Sequence, residues 1–292
     1  PRRQAVERLA AFLEVYGPYD ERTAGEQASR CVQCPEPACV AGCPVSQRIP
    51  EWLTLTAEGH FLEAAAVLHS TSCLPEICSR ACPSDRLCEG MCILNGKAEP
   101  VSIRAIEQFL NEYAFAHGQA DRPAAPLNGW RVAVIGSGPG GLACADQLSM
   151  RGYEVTVFDW RAEAGGLLVS GTPAFRLERS LVQRRVDLLT KRGVVFHLGV
   201  TWGEDLTLAR LQQKFDALYL AFGARKAREL EVPGHDLTGV FSALSFLVQD
   251  ETGVAQGGSP IEVAGTRVAV LGGGNLPMVA DKNGRASGRA RV

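Results

Sequence analysis

The chain has no long hydrophobic run, since no apolar segment approaches the roughly 20 residues that a membrane-spanning helix needs. It also lacks the basic stripe of a nucleic-acid-binding protein and has instead a short basic tail at Arg285, Arg289 and Arg291. Charges interrupt its first residues, which therefore lack the continuous apolar centre of a signal peptide. We expect a cytoplasmic protein that binds neither a membrane nor nucleic acid.

The composition is that of an ordinary globular protein, with 46% hydrophobic residues, 21% charged residues and a formal net charge of −2. At 292 residues, the chain has room for two compact domains. Its 10 cysteines are unevenly placed, because all except Cys144 lie between Cys31 and Cys92. In a chain without a secretion signal, such a concentration of cysteine more often binds metal than forms disulfides.

Two regions that differ in their predicted secondary structure flank a linker. In residues 1–120 the apolar spacing predicts helices, including one over 51–70 that we expect to break at Gly59 and one over 101–118. A stretch rich in proline, glycine and alanine follows, and we place the linker at 121–130. Strand and helix signals then alternate, with strands predicted in 131–135, 153–159, 194–200 and 216–224. This alternation predicts a parallel α/β sheet.

The first cysteine group follows the pattern C-x2-C-x4-C-x3-C and consists of Cys31, Cys34, Cys39 and Cys43, with Pro44 directly after it. The iron–sulfur run of bacterial ferredoxins also ends C-x3-C-P, and its last cysteine binds a different cluster from the first three. A second group follows: Cys73, Cys78, Cys82, Cys88 and Cys92. Thiolates suit iron–sulfur clusters or zinc, but zinc sites usually pair two C-x2-C knuckles and this chain has one. The spacing favours iron–sulfur clusters and leaves zinc as the alternative.

Residues 10–53 and 74–109, which contain both cysteine groups, resemble the N-terminal domain of the small subunit of NADPH-dependent glutamate synthase. The same domain occurs in NADH-dependent ferredoxin:NADP oxidoreductase and in dihydropyrimidine dehydrogenase, and it holds two 4Fe-4S clusters with crossed ligation. The resemblance implies a first cluster on Cys31, Cys34, Cys39 and Cys92. It implies a second cluster on Cys43, Cys82, Cys88 and Glu107. Cys73 and Cys78 would then be spare thiols.

A glycine-rich turn over 136–141 has the pattern G-x-G-x-x-G directly after a predicted strand and before a predicted helix. Its first glycine permits a tight turn, its second lets a pyrophosphate approach the backbone, and its third allows the helix to pack on the strand. The residues of this predicted dinucleotide site are Gly136, Ser137, Gly138, Pro139, Gly140 and Gly141. Asp159, at the end of the next strand, is placed to accept hydrogen bonds from ribose hydroxyls. The pattern alone does not separate FAD from a nicotinamide dinucleotide.

The resemblance favours FAD for this site. Residues 165–168 and 171–177 match the part of the family that lies near bound FAD, and they add Gly166, Leu167 and Arg176 to the expected flavin contacts. The similarity continues through 232–247. We therefore expect an α-helical N-terminal iron–sulfur domain over 1–120, followed by an α/β Rossmann-like FAD-binding domain over 131–264.

A second strand-and-glycine signal at 267–275 resembles the start of the family's NADPH-binding insert. It gives Gly272, Gly274 and Asn275 as expected NADPH contacts, but the family pattern ends at Leu276 and Pro277. We expect 265–292 to be the start of a second Rossmann-like domain with an aberrant tail and an incomplete NADPH site. A truncated or frame-shifted chain, or part of a longer polypeptide, is the favoured explanation, and a genuinely short subunit is the alternative.

The resemblance implies the electron-input subunit of glutamate synthase, an NADPH-dependent oxidoreductase. Such a subunit passes electrons from NADPH through FAD and two 4Fe-4S clusters to a large subunit that makes glutamate from glutamine and 2-oxoglutarate. No catalytic side chain is expected, because hydride transfer between bound cofactors needs no acid–base group. Two alternatives stay open: a related subunit that serves ferredoxin or a dihydropyrimidine, and a non-catalytic iron–sulfur adaptor.

Overall fold

The structure is a computed structural model that describes residues 3–4, 7, 14–118, 124–224, 231–252, 261, 266–271 and 290–291. The contacts of these residues separate into two units. The first consists mainly of Val15–Asn128 with Asp146–Tyr153, and the second consists mainly of Gly129–Ala145 and the described residues from Glu154 onward. The predicted linker overlaps 119–123, which lie outside the described residues, so the predicted domain limits stay predictions.

The first unit is helical. Its helices are α1 (Glu21–Ala28), α2 (Ala38–Ala41), α3 (Ile49–Ala57), α4 (Phe61–Thr71), α5 (Pro75–Ala81) and α6 (Ile103–Ala116). Asp20 caps α1 by accepting a hydrogen bond of 2.7 Å from the backbone N–H of Thr23. Gly59 adopts a φ of 80° between α3 and α4, which confirms the predicted break in that helical segment.

The core of this unit lies between α3, α4 and α6. Trp52 and Leu110 are fully buried there. Phe61 of α4 packs edge-on against Phe109 of α6, with ring centroids 5.1 Å apart, an arrangement that aromatic pairs favour. This packing fixes α6 in the interior and brings Glu107, which lies on the same helix, away from solvent.

The second unit contains a parallel sheet. Its elements are β1 (Arg131–Ile135), α7 (Pro139–Met150), β2 (Glu154–Asp159), α8 (Leu167–Ser170), α9 (Arg179–Lys191), β3 (Val195–Leu198), α10 (Leu208–Lys214), β4 (Ala217–Leu220) and α11 (Ala243–Thr252). The last residues of α7, 146–150, group with the first unit. The strand order is β3-β2-β1-β4, and each neighbouring pair is parallel. Ala133, Ile135, Phe158 and Leu211 form a buried cluster in this unit. The predicted strands and the predicted parallel α/β sheet are confirmed.

The region of the second glycine signal is described only in part. Thr266–Arg267 (β5) pairs with Ala290–Arg291 (β6), and the backbone of 268–271 is not in a strand. Gly272, Gly274 and Asn275 lie outside the described residues. The predicted start of a second Rossmann-like domain therefore stays a prediction. No helix of the described residues combines the length and apolar character needed to cross a membrane.

Candidate iron–sulfur and dinucleotide sites

Four cysteines of the first unit line one cavity of about 210 Å³. They are Cys31, Cys34, Cys39 and Cys92, the residues predicted for the first cluster. The first two lie in the loop after α1 and the third lies on α2, whereas Cys92 comes from the turns before α6. The rest of the wall is largely apolar and includes Leu53 and Ile103. The fold thus gathers the predicted ligands around a cavity in which water has few polar partners.

These thiols act on each other electrostatically. Burial, together with neighbouring Cys31 and Cys92, raises the pKa of Cys39 to about 11. Burial also raises the pKa of Cys31, and Cys34 and Cys92 add to that increase. Ionised together, the four sulfurs would repel one another, and a positively charged group between them would offset the repulsion. Their soft sulfur donors and the apolar wall therefore fit a metal–sulfur cluster.

Close backbone packing holds this cavity in shape. A Cβ atom at Gly42 would lie 2.8 Å from Cγ of Met91 and 3.3 Å from the carbonyl oxygen of Leu87, so this glycine lets the first cysteine group approach the second. Gln33, between two of the cysteines, adopts a left-handed φ of 51°. Its side-chain Nε2 donates a hydrogen bond of 3.1 Å to the carbonyl of Pro50.

Glu107 lies in the interior with 6% of its surface exposed. Burial raises the pKa of its carboxyl to about 8, and Cys82, Glu76 and Glu89 act in the same direction. A hydrogen bond of 2.8 Å from Nε2 of Gln47 to Oε1 opposes this increase. The neighbours that raise this pKa are all acids, and a positively charged group would suit the space beside the carboxyl.

The other residues predicted for the second cluster lie close to Glu107 or to one another. Burial raises the pKa of Cys88 to about 12, with further contributions from Glu89, Glu107 and Cys43. Cys82, at the end of α5, acts on the Glu107 carboxyl. The structure therefore brings together the predicted residues of this group, and three thiols with a buried carboxyl fit an iron–sulfur cluster.

Cys78 was expected to be a spare thiol, and it lies beside the residues predicted for the second cluster. A hydrogen bond with Cys82 raises the pKa of Cys78 most, followed by burial and by Glu107. The helical spacing of the two cysteines is the one sequence feature that could have indicated this contact. No disulfide joins any of the 10 cysteines. No three metal-binding side chains of the described residues gather closely enough to hold one metal ion; a four-iron cluster needs a different arrangement, because each ligand binds its own iron.

The glycine-rich turn of the second unit connects β1 to α7. Gly136 has a φ of 111°, and a Cβ there would collide with the carbonyl of Ala221. A Cβ at Gly141 would collide with the carbonyl of Gly136. A Cβ at Gly138 or Gly140 meets no atom of the described residues within 4 Å. The outer glycines are thus required by packing, whereas the space at Gly138 is open to a ligand beside the N-terminus of α7.

Asp159 lies at the end of β2, beside this turn. Its Oδ2 accepts hydrogen bonds of 2.6 Å from both the backbone N–H and the hydroxyl of Ser137. Its Oδ1 accepts one of 2.9 Å from the N–H of Arg161. A carboxylate has about four acceptor positions, so these bonds hold the turn and leave room for about one more. Its expected contact with ribose stays a prediction.

Ser137 also binds the segment after the turn. The N–H of Gly165 donates to the carbonyl of Ser137 at 3.0 Å and to its hydroxyl at 3.2 Å. A Cβ at Gly166 would lie 2.8 Å from Cα of Gly138, so Gly166 and the adjoining Leu167 are brought to the turn. Arg176 lies farther along the chain, and its N–H donates a hydrogen bond to the carbonyl of Pro173. Its expected contact with FAD stays a prediction.

Two matches with known families agree with this arrangement. Residues 8–119 match dihydropyrimidine dehydrogenase domain II, 4Fe-4S cluster. Residues 130–279, just over half of the chain, match pyridine nucleotide-disulphide oxidoreductase, and the chain belongs to this oxidoreductase family. The predicted class of protein is therefore confirmed.

Individual relatives show which members of this class the chain is similar to. The chain is 42% identical to the glutamate synthase (NADPH) small chain of Azospirillum brasilense, over 95% of this chain and 59% of the relative. It is 40% identical to that of Escherichia coli, over 95% of this chain and 60% of the relative. It is also 40% identical to the putative oxidoreductase UacF of Escherichia coli, over 94% of this chain and 44% of the relative. The chain thus spans about 60% of the small chains it matches, and the resemblance expected from the sequence is confirmed.

Proposed function

We propose that the chain is the electron-input part of a glutamate synthase. In this role it takes electrons from NADPH and passes them, through FAD and two 4Fe-4S clusters, to a large subunit that makes glutamate from glutamine and 2-oxoglutarate. The four-cysteine cavity is the observation that carries the proposal, since it gathers distant cysteines in a chain similar to glutamate synthase small chains.

Cys31, Cys34, Cys39 and Cys92 would hold the first cluster, and Cys43, Cys82, Cys88 and Glu107 would hold the second. When bound, clusters accept and release single electrons, and flavin connects such steps to two-electron hydride transfer. The apolar wall around the ligands of the first cluster would limit the access of water, and solvent access affects the reduction potential of a bound cluster. Bound clusters would also offset the repulsion between acidic groups that adds to burial in raising the pKa values of Cys39 and Glu107.

The glycine-rich turn would hold FAD. The open space at Gly138 and the N-terminus of α7 favour a pyrophosphate there, while Ser137 and Asp159 fix the turn through their hydrogen bonds. NADPH is proposed from the names of the relatives, together with Gly272, Gly274 and Asn275. We expect no side chain to act as an acid or base in hydride transfer.

An exposed apolar rim beside the cavity supports the proposed partner. Val32, Met91 and Ile93 border the four cysteines and expose 59%, 49% and 54% of their surfaces. Apolar rims of this kind are typical of surfaces that bind other proteins. Replacing both Met91 and Ile93 with lysine should weaken retention of the large subunit in co-purification. Leu208→Lys changes an equally exposed apolar residue on α10 and is the control. Equal retention by both variants would count against docking at this rim.

Anaerobic reconstitution tests the function itself. We expect about eight iron atoms per chain, bound FAD, and bleaching of the flavin absorbance when NADPH is added. Clusters without flavin would favour the non-catalytic adaptor, and zinc without iron would contradict the proposal. The similarity to UacF favours a second candidate, an oxidoreductase that serves a different acceptor. Co-purification with a glutaminase-containing large subunit supports the first candidate, and reduction of another acceptor in its absence supports the second.

A further inference from the structure

Gln47 is a buried amide for which the sequence predicts no role. It lies in the loop between Cys43 and α3, and its Nε2 donates a hydrogen bond of 2.8 Å to Oε1 of Glu107. Within the described part of the chain, no other donor to the Glu107 carboxyl is found. This hydrogen bond therefore fixes one oxygen of the carboxyl and leaves Oε2 for a different partner.

The loop is shaped so that this contact forms. The N–H of Ser46 donates to the carbonyl of Cys43 at 2.8 Å, which closes a turn directly after the cysteine. Ser46 adopts a φ of 49°, a left-handed conformation that is unfavourable for residues other than glycine. The N–H of Ile49 then donates to the carbonyl of Gln47 at 2.8 Å. Ser46 is thus strained at the position where the loop directs Gln47 into the interior.

A packing role alone does not explain an amide at this position. The Oε1 atom of Gln47 is buried and has no hydrogen-bond partner among the described residues. A buried polar atom without a partner is destabilising, so an apolar side chain would pack there more favourably. The reversed amide would point its oxygen at the carboxylate and place two acceptors against each other. The chemistry of this contact thus favours donation to an ionised Glu107.

We propose that Gln47 is a positioning residue for Glu107, which it holds so that Oε2 binds the second cluster. The inference rests on the proposed function, in which Glu107 is a ligand of that cluster. Hydrogen bonds from outside the ligand shell orient a metal ligand and withdraw negative charge from it. Such a bond stabilises the reduced, more negative cluster, so its loss should lower the reduction potential of the second cluster and leave the first unchanged.

The test compares variants of the full chain after anaerobic reconstitution. Gln47→Leu removes the donor at similar volume, and Gln47→Glu removes the amide and adds negative charge. Gln33→Leu is the matched control, because it removes a glutamine hydrogen bond beside the first cysteine group. Glu107→Ala tests the ligand separately. Electron paramagnetic resonance during a redox titration follows each cluster, and iron analysis gives the cluster content.

We expect the potential of the second cluster to fall in Gln47→Leu and to fall further in Gln47→Glu. The first cluster serves as an internal reference and should not shift, and Gln33→Leu should leave the second cluster unchanged. If Glu107→Ala alters the second cluster while both Gln47 variants leave it unchanged, the positioning role is wrong and the ligand assignment stands. If Glu107→Ala alters neither cluster, the ligand assignment fails together with the inference. Loss of both clusters in both Gln47 variants would indicate a role in folding and would also overturn the proposal.

Discussion

Replacing Gly138 with alanine should separate nucleotide binding from folding. A Cβ at this position meets no atom of the described residues within 4 Å, and its φ is not in the left-handed region. Alanine at such a position stabilises a protein by about 0.4–1 kcal/mol, because it restricts the unfolded chain. In a domain of this size, that corresponds to a rise in Tm of about 1–4 °C. The same methyl group would occupy the space proposed for the pyrophosphate. An overpacking penalty of about 1–3 kcal/mol corresponds to FAD binding that is about 5- to 150-fold weaker.

Gly136→Ala is the contrasting variant. It forces a left-handed φ of 111° on alanine and brings a Cβ against the carbonyl of Ala221. We expect it to lose about 2–4 kcal/mol of stability. Thermal melts of the flavin-free protein and fluorescence titrations with FAD measure the two effects. A melt of Gly138→Ala as low as that of Gly136→Ala would show that the space at Gly138 is not open, and an unchanged Kd for FAD would show that the pyrophosphate does not bind there.

Three further predictions concern the first unit. Gly42→Ala should lower the free energy of unfolding by about 1–3 kcal/mol, since its Cβ would lie 2.8 Å from a methionine side chain. Gly25→Ala lies inside α1, where its Cβ would be 3.7 Å from the nearest carbonyl oxygen, and it should raise the free energy of unfolding by about 1 kcal/mol. Equal urea midpoints for the two variants would contradict this expectation. In the cluster-free protein, burial raises the pKa of Glu107 from 4.5 to about 8. The folded state then binds this proton more tightly than the unfolded state, so stability falls as pH rises between those values, and Glu107→Gln should flatten that fall in denaturation curves measured across this range. Removal of iron with a chelator should make the first unit sensitive to protease before the second, because clusters connect cysteines of the first unit that are distant in sequence. Simultaneous cleavage of both units would contradict a role of the clusters in stabilising the first unit.

Local patterns predicted much of the fold. The break at Gly59 and the strands β1 to β4 follow from residues adjacent in sequence, because a glycine interrupts a helix and apolar runs form buried strands. The short helix α2, which carries Cys39, could not be predicted, since four residues are too few for a periodic signal. The order β3-β2-β1-β4 depends on contacts between distant strands, which no local pattern encodes.

The candidate sites likewise follow in part from local sequence patterns and in part from contacts between distant residues. The spacing of the cysteines predicted metal binding, but the approach of Cys92 to Cys31 was implied by the resemblance and depends on tertiary packing. Gln47 was missed because its partner Glu107 lies on a distant helix. The role of Cys78 was missed because its contact with Cys82, one helical turn along, depends on side-chain direction. Asp159 was predicted as a ribose contact from its position after β2. Its bonds with Ser137 depend on how the turn folds back on the strand.

We propose that two 4Fe-4S clusters are bound with crossed ligation. Cys88 and Cys92 are close in sequence, yet they would serve different clusters. The most direct measurement is iron analysis with electron paramagnetic resonance on reconstituted Cys88→Ser and Cys92→Ser chains. Each variant should keep about four iron atoms, and each should lose a different cluster signal. Loss of the same cluster in both variants, or zinc in place of iron, would contradict the account.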